Sequence, residues 1–364
     1  MTGKALAQAH VVILQGGPSP EAEVSRSSAA GLEQALLGLA RQLTRLEVDR
    51  DLASNLLALA PDVVFPALHG PPGEDGTVQG LLDLLGLPYV GSGVAASVTA
   101  MDKTLAKHGF RAAGLPVARD VVVPRGTGPA DASAMVQSSL GTQVVVKPSQ
   151  QGSALGVTLV DNAESLEAAL ELALGFGDAV LVEERLQGRE LTAAIFAPAQ
   201  QDAVALPLIE IVTPAHSWYD FEHRYAPGAS EHLVPAPVSD AEAEAMKRIA
   251  LTAHSCLGCR DLSRADLILT QAGPVLLEVN TLPGMTPPAS TRTRRRPPGS
   301  PSPSWPAAWC RVPSAGALAF PRGRERSPLP DESTSNDGRD DPDRSPDRGS
   351  GGFSLPPPTP RLQR

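Results

Sequence analysis

Two short runs about three quarters of the way along the chain gather residues able to hold a charged, oxygen-rich ligand: Arg264-Ala-Asp266 and Leu277-Glu278-Val279-Asn280. Each sits in an apolar stretch that reads as a strand. Glu278 and Asn280, two residues apart, face the same side of their strand. Two carboxylates and an amide on adjacent strands supply oxygen ligands, the set that suits a magnesium ion bridging nucleotide phosphates rather than zinc. Asp266 is expected at the head of its strand. Arg264 shares its face and could hold a charged intermediate. A surface ion cluster on an antiparallel pair is the plainer alternative.

A second group centres on Lys147, which ends the run Val144-Val-Val146 and precedes the loop Ser149-Gln-Gln-Gly-Ser-Ala-Leu-Gly156. A lysine at a strand end beside a glycine-containing loop can clamp phosphates, with backbone N–H groups as further donors. It is not a Walker A loop, because G-x-x-x-x-G-K-[ST] does not occur. Lys103 is a second candidate phosphate ligand. The third group is Ala67-Leu-His-Gly-Pro-Pro-Gly-Glu-Asp-Gly76, in which a histidine, two acids and three glycines follow a buried strand. It reads as a substrate loop. Gly16-Gly17-Pro-Ser-Pro-Glu21 is similar and lacks the full dinucleotide fingerprint.

The elements that must carry these groups read as alternating strands and helices, an α/β pattern with ligands beyond the strand C-termini. Strands are expected at 11–14, 62–65 and 88–90, with helices at 25–39 and 78–85. A helix opens at Met101-Asp-Lys103 and ends near Gly114. Strands follow at 144–146, 157–160 and 180–182, with a helix over 162–174 that Asn162 caps. Longer strands at 191–196, 203–211, 266–270 and 275–279 accompany a helix over 240–256. No internal repeats occur.

The chain has 364 residues, 42% apolar and 20% charged, which suits two or three domains. Its net charge of -9 argues against a nucleic-acid partner. No apolar run reaches the length of a membrane span, and no signal peptide is evident. Three cysteines without a framework point to a reducing cytoplasm. Cys256-Leu-Gly-Cys259 stands alone and reads as core. Residues 291–364 differ: they hold 15 of the 36 prolines, and 13 arginines against 8 acids. That segment reads as mostly disordered. Arg294-Arg-Arg296 reads as solvated, and Pro356-Pro-Pro358 as a polyproline II stretch without an implied partner.

Together these pieces resemble the D-alanine–D-alanine ligase family of the ATP-grasp superfamily. The matching segments, in order, are GGPSPEAEVS (16–25), ALHGPPGEDGTVQG (67–80), PYVGSG (88–93), MDK (101–103), VVKPSQQGSALGV (145–157), VEERLQGREL (182–191), YDFEHRYAPG (219–228), and RAD with LLEVNTLPGMT (264–286). The resemblance implies a cytoplasmic ATP-grasp enzyme of three α/β domains, 1–98, 99–184 and 185–290, followed by the tail. It also implies D-alanine and ATP as substrates, Mg²⁺ (or Mn²⁺) with two ions, and a homodimer. ATP would phosphorylate one D-alanine, and the amine of a second would displace phosphate to give D-alanyl-D-alanine for peptidoglycan precursors. A D-lactate-using relative is the neighbouring alternative.

By matched position, Lys103, Lys147, Glu183, Glu184, Leu186, Glu190 and Arg224 resemble ATP ligands, and Asp266, Glu278 and Asn280 the metal ligands. Glu21 and His69 resemble holders of the first D-alanine. Arg264 and the Gly284 backbone resemble the oxyanion donors. Ser153 and Tyr225 resemble closure residues bonded with Glu21. Arg224 stands where most relatives have lysine.

The resemblance breaks off at Pro287-Pro288. Ala289 takes the place of a family serine, and no amphipathic helix follows. Shifting the reading frame back by one base permits Ser-Leu-Tyr-Pro-His, five alanines and glycine over 289–299, a serine and a glycine-stopped helix former where the family has both. The expectation is an out-of-frame tail on a less stable, less active chain, with an inactive product of a frameshifted gene as the alternative.

Overall fold

The computed structural model describes residues 6–197, 202–214, 230–284 and the backbone of 291–293, all within the first of the chain's two compact units, Met1–Glu325. Three sheets organise these residues. The first is parallel, in the order β2 (Gln42–Glu47), β1 (His10–Gln15), β3 (Val63–Pro66). β1 is apolar almost throughout because both its faces are covered. Val11 and Ile13 pack with Ala29, Leu32 and Leu36 of α1 (Ala22–Leu36). Val12 and Leu14 pack with Leu52 and Leu56 of α2 (Leu52–Leu59) and with Val78 and Leu82 of α3 (Thr77–Leu84).

Several expectations shift here. α1 begins three residues earlier than expected and stops at Leu36, where Leu37 turns to an extended backbone. β2 and α2 were not foreseen: Gln-Leu-Thr-Arg-Leu-Glu is an edge strand with half-exposed positions, so its pattern is weak. Residues 88–90 form only a single bridge, Tyr89 to Val64, not a strand. The helix expected from Met101 to about Gly114 is α5 (Lys103–Ala112), and an additional helix, α4 (Val94–Met101), precedes it. Asp102 separates them and caps α5, accepting from the backbone of Thr104 at 2.9 Å and Leu105 at 3.1 Å.

The second sheet is antiparallel, in the order β4 (Asp120–Pro124), β7 (Ala179–Glu184), β5 (Val144–Pro148), β6 (Thr158–Val160). Its valines 144, 146, 180 and 182 pack under α6 (Pro129–Leu140) and α7 (Ala163–Leu174). Alternation therefore sends Lys147 and Glu183 to the opposite face. Asn162 caps α7 as expected, accepting from Ser165 N at 3.1 Å.

The third sheet runs β13 (Gly273–Asn280), β12 (Asp261–Thr270), β8 (Arg189–Ala197), β10 (Ile209–Val212), β11 (Glu231–Val234), β14 (Thr291–Thr293), with β9 (Val204–Ala205) beside β8. The strand expected over 203–211 is thus two pieces, β9 and β10. Asp266 lies in the middle of β12, not at its head, because pairing with β8 extends β12 back to Asp261. Met246, Ala250 and Ala253 of α8 (Asp240–Cys256) pack against Leu191, Ala193, Ile195, Ala265 and Leu267. Residues 291–293, read from sequence as the start of a disordered segment, instead pair parallel with β11. A ladder is made by backbone groups and needs no apolar pattern. The remainder of that segment, with the altered frame assigned to it, lies outside the described residues. No described helix is long and apolar enough to cross a membrane.

Candidate active site

The hairpin of β12 and β13 sets Asp266 opposite Glu278 and Arg264 opposite Asn280. Arg264 grips Asp266 as a fork: Nε donates to Oδ1 and Nη2 to Oδ2, each at 2.7 Å. Asn280 Nδ2 donates to Oδ2 at 3.2 Å, and Thr192 Oγ1 of β8 donates to Oδ1 at 2.8 Å. Glu278 Oε2 lies 3.3 Å from Lys103 Nζ at the start of α5. Each acid therefore has a cation beside it. The donor set is all oxygen, with two carboxylates, which fits a hard divalent cation. Among the described residues no group of three or more His, Cys, Asp or Glu side chains is placed to hold a metal. The Asn280 amide and ligand oxygens would have to complete the shell.

Lys147 at the end of β5 is ion-paired with Glu183 of β7. Burial pushes the Glu183 carboxyl up, but Lys147 and Lys107 outweigh it and hold the group below the ordinary carboxylate range. Glu184, next along β7, points the other way. It accepts from Arg119 N at 2.9 Å and Nε at 2.8 Å. Leu186 is half-buried in the connection to β8, and Glu190 lies on β8 opposite Ile211 and Ile268. The structure thus brings Lys147 and Glu183 together and turns Glu184 from them. Lys103 Nζ also donates to Gln151 O at 2.6 Å, which ties α5 to the glycine loop.

That loop folds onto the N-terminus of α1. Ser153 Oγ donates to Glu21 Oε1. A Cβ at Gly70, where φ is +64°, would come within 2.9 Å of Glu21 Oε2, so this position requires glycine. His69 is buried, with Nε2 2.9 Å from Ser28 Oγ. Burial, then the nearby Arg264, pushes its pKa down to about 4, so the ring is neutral at pH 7. A Cβ on Gly284 would lie 3.9 Å from His69 Cε1, which places the Thr-Leu-Pro-Gly turn against the histidine loop. Tyr225 and Arg224 lie outside the described residues.

Two acidic or basic groups of the site escaped individual notice in the sequence. Glu74 accepts from Gly70 N at 2.8 Å. Burial, then Glu21 and Glu278, pushes its carboxyl up to about 7, against the backbone bond from Gly70 and the charge of Arg264. Its signal was present as the acid of His-Gly-Pro-Pro-Gly-Glu. Lys107 is the other, and it carried no motif beyond its spacing of four from Lys103. One cleft joins Glu74, Met101, Lys103, Gln151, Gly152, Glu278 and Asn280. A site with two cations, two facing carboxylates and a neutral histidine suits transfer of a phosphoryl group to a carboxylate.

Known proteins share this arrangement of sequence and fold. The family model described as D-ala D-ala ligase C-terminus matches residues 110–294, and that described as D-ala D-ala ligase N-terminus matches residues 41–92. The D-alanine–D-alanine ligase of Halalkalibacterium halodurans is 44% identical over 280 residues, 76% of this chain and 90% of that protein. The one from Geobacter sulfurreducens is 45% identical over 290 residues, 79% of this chain and 88% of that protein. Among solved structures, D-alanyl-alanine synthetase A from Vibrio cholerae superposes with a TM-score of 0.67 at 27% identity, covering 78% of this chain and 91% of that one. The D-alanine–D-alanine ligase from Coxiella burnetii, at 24% identity and a TM-score of 0.63 over 77% of this chain and 86% of that one, shares the fold. The fold is the ATP-grasp α/β fold, and with identities above 40% along most of the relatives' length, this chain belongs to the D-alanine–D-alanine ligase family.

Proposed function

We propose that this chain joins two D-alanines at the expense of ATP, with ADP and phosphate released, and that the cleft between Lys103, Glu74 and Glu278 is where it does so. The observation that carries this reading is the salt bridge of Lys103 and Glu278 in the same cleft as Glu74 and Gly152. It brings a phosphate-binding cation, a metal-type carboxylate and the amino-acid loops to one place.

Lys103 and Lys147 hold the phosphate oxygens. Glu183, Glu184, Leu186 and Glu190 are further ATP ligands, and Arg224, outside the described residues, pairs with a phosphate. Asp266, Glu278 and Asn280 would hold Mg²⁺ (or Mn²⁺), as two ions, whose contribution is to neutralise charge on the phosphates. Glu21 accepts from the ammonium of the first D-alanine, and neutral His69 fixes its orientation without adding charge. Its carboxylate oxygen attacks the γ-phosphorus, the bond to ADP breaks, and an acyl phosphate forms. The amine of the second D-alanine then attacks the acyl carbon, loses a proton, and expels phosphate. Arg264 and the Gly284 backbone N–H face the oxyanion of that step. Ser153, with Tyr225, closes the loop over Glu21.

In this reading 1–98, 99–184 and 185–290 act as three domains, two copies form a dimer, and the enzyme works in the cytoplasm. The test is product analysis. With ATP, Mg²⁺ and D-alanine, one dipeptide per ADP is expected by mass spectrometry. ADP release that requires D-lactate, with ester instead of dipeptide, would move the acceptor assignment. No D-alanine-dependent ADP would remove the reading.

A further inference from the structure

Lys107 is a fully buried side chain on α5 and is not among the residues that line the cleft described above. It lies one helical turn after Lys103, so both ammonium groups leave the same side of the helix. Lys103 reaches Glu278, whereas Lys107 passes beneath the second sheet. Its Nζ donates to Ala118 O at 3.0 Å, pairs with Glu183 Oε1, and lies 3.3 Å from Asp120 Oδ1. Asp120 stands directly opposite Glu183 in the pairing of β4 with β7 and is also paired with Arg111.

Glu183 therefore shares its two oxygens between two lysines, Oε1 with Lys107 and Oε2 with Lys147. The two cations differ in setting. Lys147 keeps a 12% exposed side chain, and Lys107 only 1%. A buried carboxylate without a countercharge is strongly disfavoured. If Lys147 were its sole partner, Glu183 would hold that ammonium against any incoming phosphate. With Lys107 in place, Lys147 can turn to a phosphate oxygen while Glu183 remains charged and fixed. We infer that Lys107 is a positioning residue for nucleotide binding: it compensates Glu183 permanently and so releases Lys147 to the triphosphate. This rests on the reading of Lys147 and Glu183 as nucleotide ligands. Burial lowers the Lys107 pKa by more than Glu183 raises it, so the group lies below the ordinary lysine value.

The experiment compares Lys107→Met, Lys107→Arg, Glu183→Gln and the Lys107→Met/Glu183→Gln pair, each as the full chain, for KM of ATP, KM of D-alanine and kcat. Lys107→Met is expected to raise KM for ATP roughly tenfold, the size usual for losing a residue that orients a ligand-binding group. KM for D-alanine should stay within about twofold. Lys107→Arg, which keeps the charge, should restore most of the ATP affinity. In the Glu183→Gln background, loss of Lys107 should cost nothing further, because position 183 then needs no compensation and Asp120 keeps its pairing with Arg111. An unchanged KM for ATP in Lys107→Met, equal loss for both substrates, or the same tenfold loss in the Glu183→Gln background would overturn the inference. Should Lys107→Met yield no folded protein, the pair of variants carrying Glu183→Gln still decides it, since no buried carboxylate is left unpaired there. Lys147→Gln separates the two ideas. If it leaves ATP affinity unchanged, the nucleotide-site reading fails. If it weakens ATP and Lys107→Met does not, only the role of Lys107 fails.

Discussion

Asp266 holds three side-chain donors at once, from Arg264, Asn280 and Thr192, so its role can be separated from that of Glu278. Asp266→Ala and Glu278→Ala should each lower metal-dependent ADP release by roughly a hundredfold or more, the scale of losing a group that stabilises a transferring phosphoryl. A steady-state ADP assay across Mg²⁺ concentrations checks this, and normal activity in either variant would remove the residue from the site. Glu74 makes a pH prediction. Its carboxyl titrates at about 7 in the folded chain against an ordinary 4.5. The folded state thus keeps a proton that the unfolded chain gives up. Its contribution to stability is full below pH 4.5 and is lost as the pH rises to about 7. His69 acts in the reverse sense, losing stability as the pH falls from 6.5 toward 4, because the unfolded chain takes up a proton the buried ring refuses. Glu74→Gln leaves His69 in place, so the difference in Tm between variant and parent should move in the variant's favour from pH 5 to pH 7. A flat difference across that range would show that Glu74 is an ordinary carboxylate.

At the scale of elements, α8 carries the third sheet's core and depends on a capping box. Ser239 Oγ accepts from Glu242 N, and the Glu242 carboxylate accepts from Ser239 N at 2.8 Å. Ser239→Ala should cost about 1 kcal/mol in urea unfolding without altering KM for either substrate. This helix was legible residue for residue from 240 to 256 because its cap, its length and its apolar period agree. β13 was legible as an apolar run with polar residues in fixed alternation, and β12 only from Asp266 onward, because its first half is set by pairing with β8. β2 was not, since an edge strand half open to solvent has no reason to be apolar, and β4, β11 and α6 were missed with it. The start of α5 was legible at Met101-Asp-Lys103, where Asp102 caps it, whereas α4 was missed because it is short and has no side-chain cap.

For the whole molecule, the end of the chain is the clearest target. A version rewritten from 289 onward in the frame shifted back by one base should unfold at higher temperature and make dipeptide faster than the chain as it stands, because a helix former then follows the catalytic loop. Equal Tm and equal rate would refute the altered frame. The family was readable from motifs in their order, and the shared face of Glu278 and Asn280 from their spacing, because alternation dictates which residues share a strand face. Three-dimensional packing decided everything that needs distant segments to meet. The bond from Ser153 to Glu21, across 132 positions, was expected only through the family resemblance, while Gly284 meets His69, and Glu74 is pushed up to about 7, only where the folded chain gathers them. Lys107 shows the limit most clearly. Its helical position was predictable, but a cation becomes a buried counterion only when β4 and β7 bring Asp120 and Glu183 over it. No local pattern encodes that closure, because burial and field are properties of the assembled fold.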